Sequence, residues 1–364
     1  MKISVVTDYL ESLFPLQYQE DYDNSGLIIG DSNEKVTGSL LALDCTEEVV
    51  EEAIKLNCNL IITHHPILFN PIKSITGKNY IERIIIKAIK NDIAIYCIHT
   101  NIDNVKYGVN SVIADRIGLI NTEILRPSNK YIIKLVFYCP ISDSNNLKNK
   151  LWEAGAGKIG NYSHCSFSSV GNGTFKAGSS SSPKIGEKNK LHIEKEEKIE
   201  MVFYSNLKSK ILNVLMNEHP YEEVAYELYQ IDNSNKDIGA GFYGELKESI
   251  SANQFLKKLK KIMQTDCIRY TNSKNKFITK VALCGGSGSF LLEDAKRVKA
   301  DIFISSDFKY HQFFDAGNNI IIADIGHYES EQFTKGLIYN LLNKKFTKFA
   351  IQLSKINTNP IKYL

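Results

Sequence analysis

Short apolar runs, each followed by polar residues and then by a helical pattern, recur along the chain. The segments are SLLALDCTEEVVEEAIK (39–55), NLIITHHP (59–66), DIAIYCIHTNID (92–103), KVALCGGSGSFLLEDAKR (280–297) and NIIIADIGHYESE (319–331). Such runs predict strands buried on both faces, and their alternation with helices predicts a layered α/β fold. In open α/β sheets, ligands bind beyond the carboxyl ends of the strands. The polar residues after these runs are therefore the first candidates for a functional site.

The middle of the chain, about residues 131–231, follows a different pattern. It predicts a strand, a helix, a glycine- and serine-rich hairpin, a further strand, a second helix and a last strand. This order resembles a ferredoxin-like α+β unit. We therefore predict a split outer α/β domain, residues 1–126 and 236–364, with a ferredoxin-like domain of residues 127–235 inserted into it.

Candidate metal ligands follow the predicted strands of both outer parts. His64 and His65 end one strand and Asp103 follows the next, while His327 and Glu331 stand four residues apart in the last part of the chain. If a helix starts there, this spacing places both side chains on one face. Imidazoles and carboxylates together suit zinc, iron, manganese and similar divalent ions.

Each of these motifs has a simpler explanation when it is taken alone. Adjacent histidines at a strand end are more often structural than metal-binding, and the H-x-x-x-E spacing is common on helix surfaces. Asp103 could cap a helix or occupy a turn. The agreement of the three motifs in residue type and placement favours the metal site.

The adjacent histidines favour two metal ions over one. Neighbouring side chains at a strand end diverge, so His64 and His65 would each serve a separate ion, with the ions about 3.5–4 Å apart. Five ligands are too few for two closed structural sites, which need about four each. The deficit leaves positions for water and substrate, as in a catalytic site.

Other residues are candidates for the same cleft. His99 could orient a ligand, or it could be a core histidine bonded to the backbone. Asp307 and His311 lie at another predicted strand end and could line the cleft. The GGSGS stretch at 285–289 has the glycine content of a phosphate-binding turn but lacks the Lys-Ser/Thr pair of a P-loop, which favours a plain tight turn.

Composition excludes several classes of function. A formal charge of +3 over 364 residues gives no electrostatic argument for a nucleic-acid or membrane partner. No apolar run reaches the roughly 18–20 residues that span a bilayer, and the first residues predict an amphipathic helix and not a signal peptide. The seven cysteines form no CxxC pair, which indicates reduced, mostly buried thiols in a cytoplasmic protein.

Taken together, the motifs resemble a known family. The stretches YDNSGLIIG, LIITHHP, HTNID, IGAGFYGEL, VALCGGSGS, SSDFKYH and DIGHYESE follow one another as in the YbgI-like (NGG-one-interacting-factor-like) dinuclear metal proteins. Many of those proteins carry the name GTP cyclohydrolase I type 2. Carried over by position, the resemblance implies the metal ligands His64, His65, Asp103, His327 and Glu331.

The resemblance also covers the middle unit. GAGKIGNYSHCSF, GNGTFKAG and HPYEEVAYEL are similar to the inserted domain of longer family members, which is itself similar to CutA- and PII-like modules. The family implies a homohexameric ring whose metal sites face an internal cavity. His219, in the last of these motifs, is expected to be structural.

Two functions stay open at this point. In the first, two divalent ions per chain activate a water molecule that opens the purine ring of GTP with release of formate, or that hydrolyses another nucleotide, phosphoester or amide. In the second, the protein is a non-enzymatic metal-binding or regulatory assembly whose inserted module senses a small ligand. Nothing in the residues selects guanine.

Overall fold

The computed structural model describes residues 1–272 and 277–364. The chain forms two compact units. One consists of Met1–Pro127 together with Lys236–Leu364 and is called the outer domain below; the other, Ser128–Asn235, is called the insert. These divisions lie within one residue of the boundaries that the sequence pattern indicates.

The first part of the outer domain alternates strands and helices. In chain order it contains α1 (Ile3–Leu13), β1 (Gly26–Ile29), β2 (Ser39–Ala42), α2 (Glu47–Lys55), β3 (Leu60–Thr63), α3 (Tyr80–Lys90), β4 (Ala94–Cys97), α4 (Thr100–Asp103), α5 (Val109–Ile117) and β5 (Leu119–Ser128). Strands β2, β3 and β4 are buried along their whole length, which explains their unbroken apolar sequences. Helices α2 and α3 start where the side chains of Thr46 and Asn79 accept hydrogen bonds from first-turn N–H groups.

The insert is an antiparallel sheet with two helices. It contains β6 (Ile132–Pro140), α6 (Ile141–Ala154), β7 (Phe167–Lys176), β8 (Leu191–Tyr204), α7 (Lys208–Glu218) and β9 (Tyr226–Gln230), and its strand order is β7-β8-β6-β9. The order of elements is that of a ferredoxin-like unit. The segment predicted as a separate strand after the hairpin is instead part of β8, the long second arm of that hairpin, which pairs with both β7 and β6.

A single apolar core holds the insert together. Leu135, Phe137 and Leu215 belong to it and are fully buried. His219 lies beside this core, where its Nε2 donates to the Tyr138 carbonyl at 2.8 Å and its Nδ1 accepts from the Tyr221 N–H at 3.1 Å. Both ring nitrogens are thus used by the backbone, in the structural role expected for this residue.

The last part of the outer domain completes the alternating pattern. It contains β10 (Asn235–Ser251), α8 (Ala252–Ile262), β11 (Arg269–Tyr270), β12 (Phe277–Ser287), α9 (Leu292–Arg297), β13 (Ile302–Ser306), β14 (Ile321–Asp324), α10 (His327–Glu331), α11 (Thr334–Lys345) and β15 (Ile351–Leu353). Among the described residues, no helix has the length and apolar character needed to cross a membrane.

The outer domain contains two sheets whose parallel strands end in register. The five-stranded sheet has the order β1-β4-β3-β2-β15, and Ala42 pairs with Thr63, which pairs with Cys97. The six-stranded sheet has the order β11-β14-β13-β12-β10-β5, and Ser305 pairs with Asp324. Because parallel strands that pair in this way end side by side, the residues that follow β2, β3 and β4 become neighbours, and so do those that follow β12, β13 and β14.

Each sheet takes one strand from the other part of the chain. Strand β15, from the last part, lies parallel to β2 in the five-stranded sheet. Strand β5, from the first part, is the neighbour of β10 in the six-stranded sheet. The two parts of the outer domain are therefore joined within both sheets.

Replacing the insert, Ser128–Asn235, by a short Gly/Ser linker should leave the outer domain folded. The deletion ends lie on β5 and β10, which are neighbours in one sheet, and all five predicted metal ligands lie outside the insert. We expect the shortened protein to keep the metal content of the full chain, measured by elemental analysis, with a cooperative unfolding transition by circular dichroism. A folded but metal-free product would show that the insert helps to build the site.

Candidate metal centre

The carboxylate of Glu331 lies among three histidine rings. Its Oε2 is 2.8 Å from His65 Nε2 and 3.1 Å from His327 Nε2, while its Oε1 is 3.6 Å from His64 Nε2. Asp103 Oδ1 lies 3.7 Å from the same nitrogen of His64. The structure therefore brings the five predicted ligands together, in two groups that share Glu331: His64 with Asp103, and His65 with His327. Within each group the ligand atoms lie within 4.8 Å of one another.

Strand ends and two short helices hold these side chains. His64 and His65 directly follow β3, and Asp103 is the last residue of α4, a single turn after β4. Helix α10 begins at His327 and ends at Glu331, so the i, i+4 spacing places both side chains on one face, as the sequence pattern indicates.

Two of the candidate ligand atoms are buried without a hydrogen-bond partner in the described chain. His64 is fully buried, and its Nδ1 donates to the Ile98 carbonyl at 2.9 Å, which leaves Nε2 as the unpartnered atom. Asp103 Oδ1 is the second such atom. An unsatisfied buried polar group costs about 1–3 kcal/mol. A divalent ion would satisfy both atoms, and an imidazole nitrogen with carboxylate oxygens is a donor set that such ions take, so the residues fit a metal.

Two more carboxylates orient the rings of His65 and His327 through the Nδ1 atoms. His65 Nδ1 donates to Asp44 Oδ1 at 2.7 Å, and His327 Nδ1 donates to Asp307 Oδ2 at 2.6 Å. Each bond turns the Nε2 atom of its ring toward Glu331. Carboxylates that hold the second nitrogen of a ligating histidine fix its tautomer and raise its basicity.

The charged groups shift one another's proton affinity. Burial raises the pKa of Asp103 to about 8, and the nearby charge of Glu331 adds to the effect. Burial also opposes ionisation of Glu331, but His64 and His327 hold the pKa of its carboxyl well below the usual range. Burial lowers the histidine values, yet Asp44 and Glu331 raise the pKa of His65 to about 9, while Glu331 and Asp307 raise the pKa of His327 to about 11.

His99 belongs to the same cluster. Its ring centroid lies 5.2 Å from that of His64 and 5.5 Å from that of His65. Its Nδ1 donates to Asp23 Oδ1 at 2.8 Å, and Asp23 also accepts hydrogen bonds from the N–H and hydroxyl of Thr100. Burial opposes ionisation of Asp23, but these bonds keep the pKa of its carboxyl well below the usual range. The partner of His99 is thus a carboxylate and not a backbone carbonyl.

Two polar side chains tie the ligands to strand β12. Asn110 donates to the Asp103 carbonyl at 3.1 Å and accepts from the Gly285 N–H at 2.9 Å. Ser330 accepts from the Gly286 N–H at 2.8 Å. The end of β12 therefore fixes the distance between Asp103 and the helix that carries Glu331.

The glycines of the GGSGS stretch allow close approach to a ligand. Gly285, Gly286 and Ser287 belong to β12 and do not form a phosphate-binding turn. Gly286 has φ +62°, and a Cβ at this position would lie 2.2 Å from Glu331 Oε1. A side chain here would displace the shared carboxylate, so the position requires glycine.

His311 does not reach the cleft, so its predicted place beside the ligands is wrong. Asp307 follows β13 directly and contacts His327, but the chain then continues into a 3₁₀ segment, Tyr310–Ala316. There the exposed His311 ring packs against Tyr310 and Phe314, with centroids 5.2 and 6.3 Å away. Only the residue next to the strand end stays near the site.

Comparison with known proteins places this centre in a family. A model of Duf34/NIF3 (NGG1p interacting factor 3) matches residues 1–360. The chain belongs to this family. The resemblance that the motifs indicated is therefore confirmed.

Relatives match the Duf34/NIF3 chain over nearly its whole length. A protein of Halalkalibacterium halodurans named GTP cyclohydrolase 1 type 2 homolog is 37% identical over 372 residues, which is 100% of both chains. The solved structure of a Bacillus cereus protein related to NIF3 is 36% identical to this chain and has a TM-score of 0.83. The match covers 100% of this chain and 99% of that protein. A Staphylococcus aureus protein of solved structure gives 31% identity and a TM-score of 0.79, with the same coverage. The predicted hexamer and the CutA- and PII-like character of the insert stay predictions.

Three contributors to the site escaped the sequence analysis. Asp44 is the second residue after β2, as His65 is the second after β3, so its place at a strand end was an available signal. Asp23 stands in the YDNSG stretch, whose polar residues could have been assigned to the site. Thr358 donates to Asp44 Oδ2 from a segment that has no strand or helix pattern, and no local signal points to it.

Glu331→Ala should lower the bound metal more than Asp103→Ala or His327→Ala does. Glu331 belongs to both ligand groups, whereas each of the other residues belongs to one. Elemental analysis after metal loading and desalting measures this directly. Glu329→Ala, on the same short helix and also buried, is the matched control and should keep its metal. Undiminished metal in a folded Glu331→Ala variant would remove this residue from the set.

Divalent metal should bind more tightly as the pH rises from about 6 to about 9. The pKa of His65 is raised to about 9, so below that pH its ring carries a proton that the metal must displace. Fewer bound protons therefore mean tighter metal binding. Calorimetry of the stripped protein, in buffers of different ionisation enthalpy, should show proton release at neutral pH. An affinity that does not change over this range would exclude His65 as a ligand.

Proposed function

We propose that this member of the Duf34/NIF3 family is a hydrolase that depends on two divalent ions, of zinc, iron or manganese. The observation that carries the proposal is the position of Glu331, whose two oxygens face two different groups of ligands. A carboxylate shared in this way is suited to bridging two ions.

Each ligand group supplies only three protein side chains. His64, Asp103 and Glu331 would hold one ion, and His65, His327 and Glu331 the other. Closed structural zinc sites have four protein ligands, whereas catalytic sites leave a position for water or substrate. Two divalent ions held there would supply Lewis acidity, which lowers the pKa of water toward neutrality.

The remaining residues orient the ligands and shape the reaction space. Asp44 and Asp307 fix the rings of His65 and His327, as described above. Asp23 holds the ring of His99 through Nδ1, and His99 lines the cleft beside the candidate ligands. Apolar side chains on the cleft wall, such as Ile67, keep bulk water away from the cluster.

GTP is the substrate that the name of the curated relatives suggests, through opening of the purine ring with release of formate. The ligands themselves do not select this reaction over hydrolysis of another nucleotide, a phosphoester or an amide. The test therefore needs a panel of all four classes.

Protein loaded in turn with zinc, iron and manganese should hydrolyse at least one member of that panel. His65→Ala should lower the rate by about 100-fold or more. Asp44→Asn should lower it by about 10- to 100-fold, because this variant keeps the His65 side chain but loses the carboxylate charge that orients it. Product formation, including formate from GTP, is the measurement. His311→Ala is the matched control, because this exposed histidine lies outside the cleft.

Metal binding without turnover of any class would overturn the proposal. That outcome would favour the non-enzymatic reading, in which the site holds metal for a structural or regulatory purpose. Turnover that survives in metal-free His65→Ala protein would show instead that the reaction does not use this centre.

A further inference from the structure

The candidate metal ligands lie in a cleft of about 990 Å³ in the outer domain. Four of the five ligands line it, namely His65, Asp103, His327 and Glu331. The volume is at the upper end of the range for small-molecule sites, about 300–1,000 Å³. The walls of the cleft therefore indicate what kind of molecule can reach the candidate metal ligands.

Aromatic rings from four separate segments face this cleft. Tyr22, Phe69, Tyr80 and Phe290 line it and are 68%, 48%, 60% and 56% exposed. Rings so exposed are not used by the core and can stack on a planar ligand. Phe69 reaches the cluster itself, since its ring centroid is 5.6 Å from that of His99 in an edge-to-face arrangement.

The charges along the walls are negative. Among the described residues that line the cleft, Glu20, Asp44, Asp103 and Glu331 supply carboxylates, and none is a lysine or an arginine. Two divalent ions would bring four positive charges, which these four carboxylates balance. Even with both ions bound, the cleft would therefore have no excess positive charge to attract a polyanion.

Arg126, a cation that contacts the aromatic wall, already has other partners. Arg126 lies over the Phe290 ring at 5.3 Å, and its Nε donates to Asp294 Oδ2 at 2.8 Å. Its guanidinium also donates to the Phe290 carbonyl at 2.8 Å. These contacts hold Arg126 in place as part of the wall, so releasing it to bind phosphate would break all of them.

We propose that the cleft binds a planar, uncharged ring compound, stacked between Phe69 and the other aromatic side chains, and that it discriminates against polyphosphorylated forms of the same ring. The proposal rests on the proposed function in one respect, namely that the cleft is the substrate site. Within that function it assigns the substrate class: a free base, nucleoside or similar heterocycle, in preference to a nucleoside triphosphate.

Binding of matched ligands to the full-length protein tests this inference without any turnover. Guanosine, adenosine, uridine and pterin are compared with GTP by calorimetry, on manganese-loaded and on metal-free protein, because GTP can remove metal from the site. We expect at least one uncharged ring to bind about tenfold or more tightly than GTP in both forms, which corresponds to about 1.4 kcal/mol. GTP binding as tight as that of every uncharged ring would overturn the proposal.

Two variants separate stacking from charge. Phe69→Ala should weaken binding of the uncharged ring by about fivefold or more, as expected for loss of a stacking partner. Tyr162→Ala, which removes an exposed ring from the insert, is the matched control and should change nothing. Asn70→Lys, which adds a cation to the cleft wall, should strengthen GTP binding by a larger factor than binding of the uncharged ring.

The outcomes distinguish this inference from the proposed function. Binding of uncharged rings without hydrolysis of any substrate would contradict the proposed hydrolase activity and would support the proposed ligand class. Hydrolysis together with tighter binding of GTP than of the uncharged rings would support the hydrolase activity and contradict the proposed ligand class. If Phe69→Ala changes the sedimentation of the protein and not its affinity for rings, the aromatic side chains belong to a contact between copies, and the proposal is wrong.

Discussion

A buried carboxylate, that of Glu331, is the constraint on which the rest of the outer domain depends. A charge removed from water is costly unless it is paired and hydrogen-bonded. Here three imidazole nitrogens lie within 3.6 Å of its two oxygens. Because those rings follow β3 and begin α10, the charge is compensated only when both sheets are in place.

The need to compensate the buried charge of Glu331 explains the residues that surround it. The carboxylate needs room on the side of β12, and Gly286 supplies it, since a Cβ there would overlap Oε1. The histidines need fixed tautomers, and Asp44 and Asp307 supply them through Nδ1. Asp44 and Glu331 raise the pKa of His65 to about 9 against the effect of burial, so that without ions a proton on this ring balances part of the negative charge. Metal and proton are thus alternative ways to balance the same buried charge.

Much of this arrangement could be predicted because residues close together in the sequence determine it. Unbroken apolar runs identify the parallel strands, and a chemically suited side chain near the end of a run identifies a candidate ligand. His64 and His65 illustrate the rule, since they follow β3 without a gap. The spacing of His327 and Glu331 is equally local, because one helical turn relates them.

The rest could not be predicted, because it depends on contacts that no local pattern records. Thr358 reaches Asp44 across more than three hundred residues of chain. The error at His311 has the opposite origin: its sequence distance from β13 is short, but the 3₁₀ segment that carries it packs its aromatic rings against one another and away from the ligands. Beyond the strand end itself, the position of a side chain depends on how the following chain folds: the short helices α4 and α10 bring Asp103 and Glu331 to the cluster, whereas the 3₁₀ segment takes His311 away from it.

The division of the ligands between two distant stretches of sequence has a physical consequence. His64, His65 and Asp103 precede the insert, and His327 and Glu331 follow it. The exchange of strands brings the two groups of residues together. Strand β15 completes the sheet whose β3 precedes His64, and β5 lies in the sheet whose β14 precedes His327. Neither sheet can be completed by one part of the chain alone, so the site cannot form before both parts have paired. Metal that binds only to the assembled cluster therefore stabilises the whole outer domain, because its binding free energy is added to that of folding.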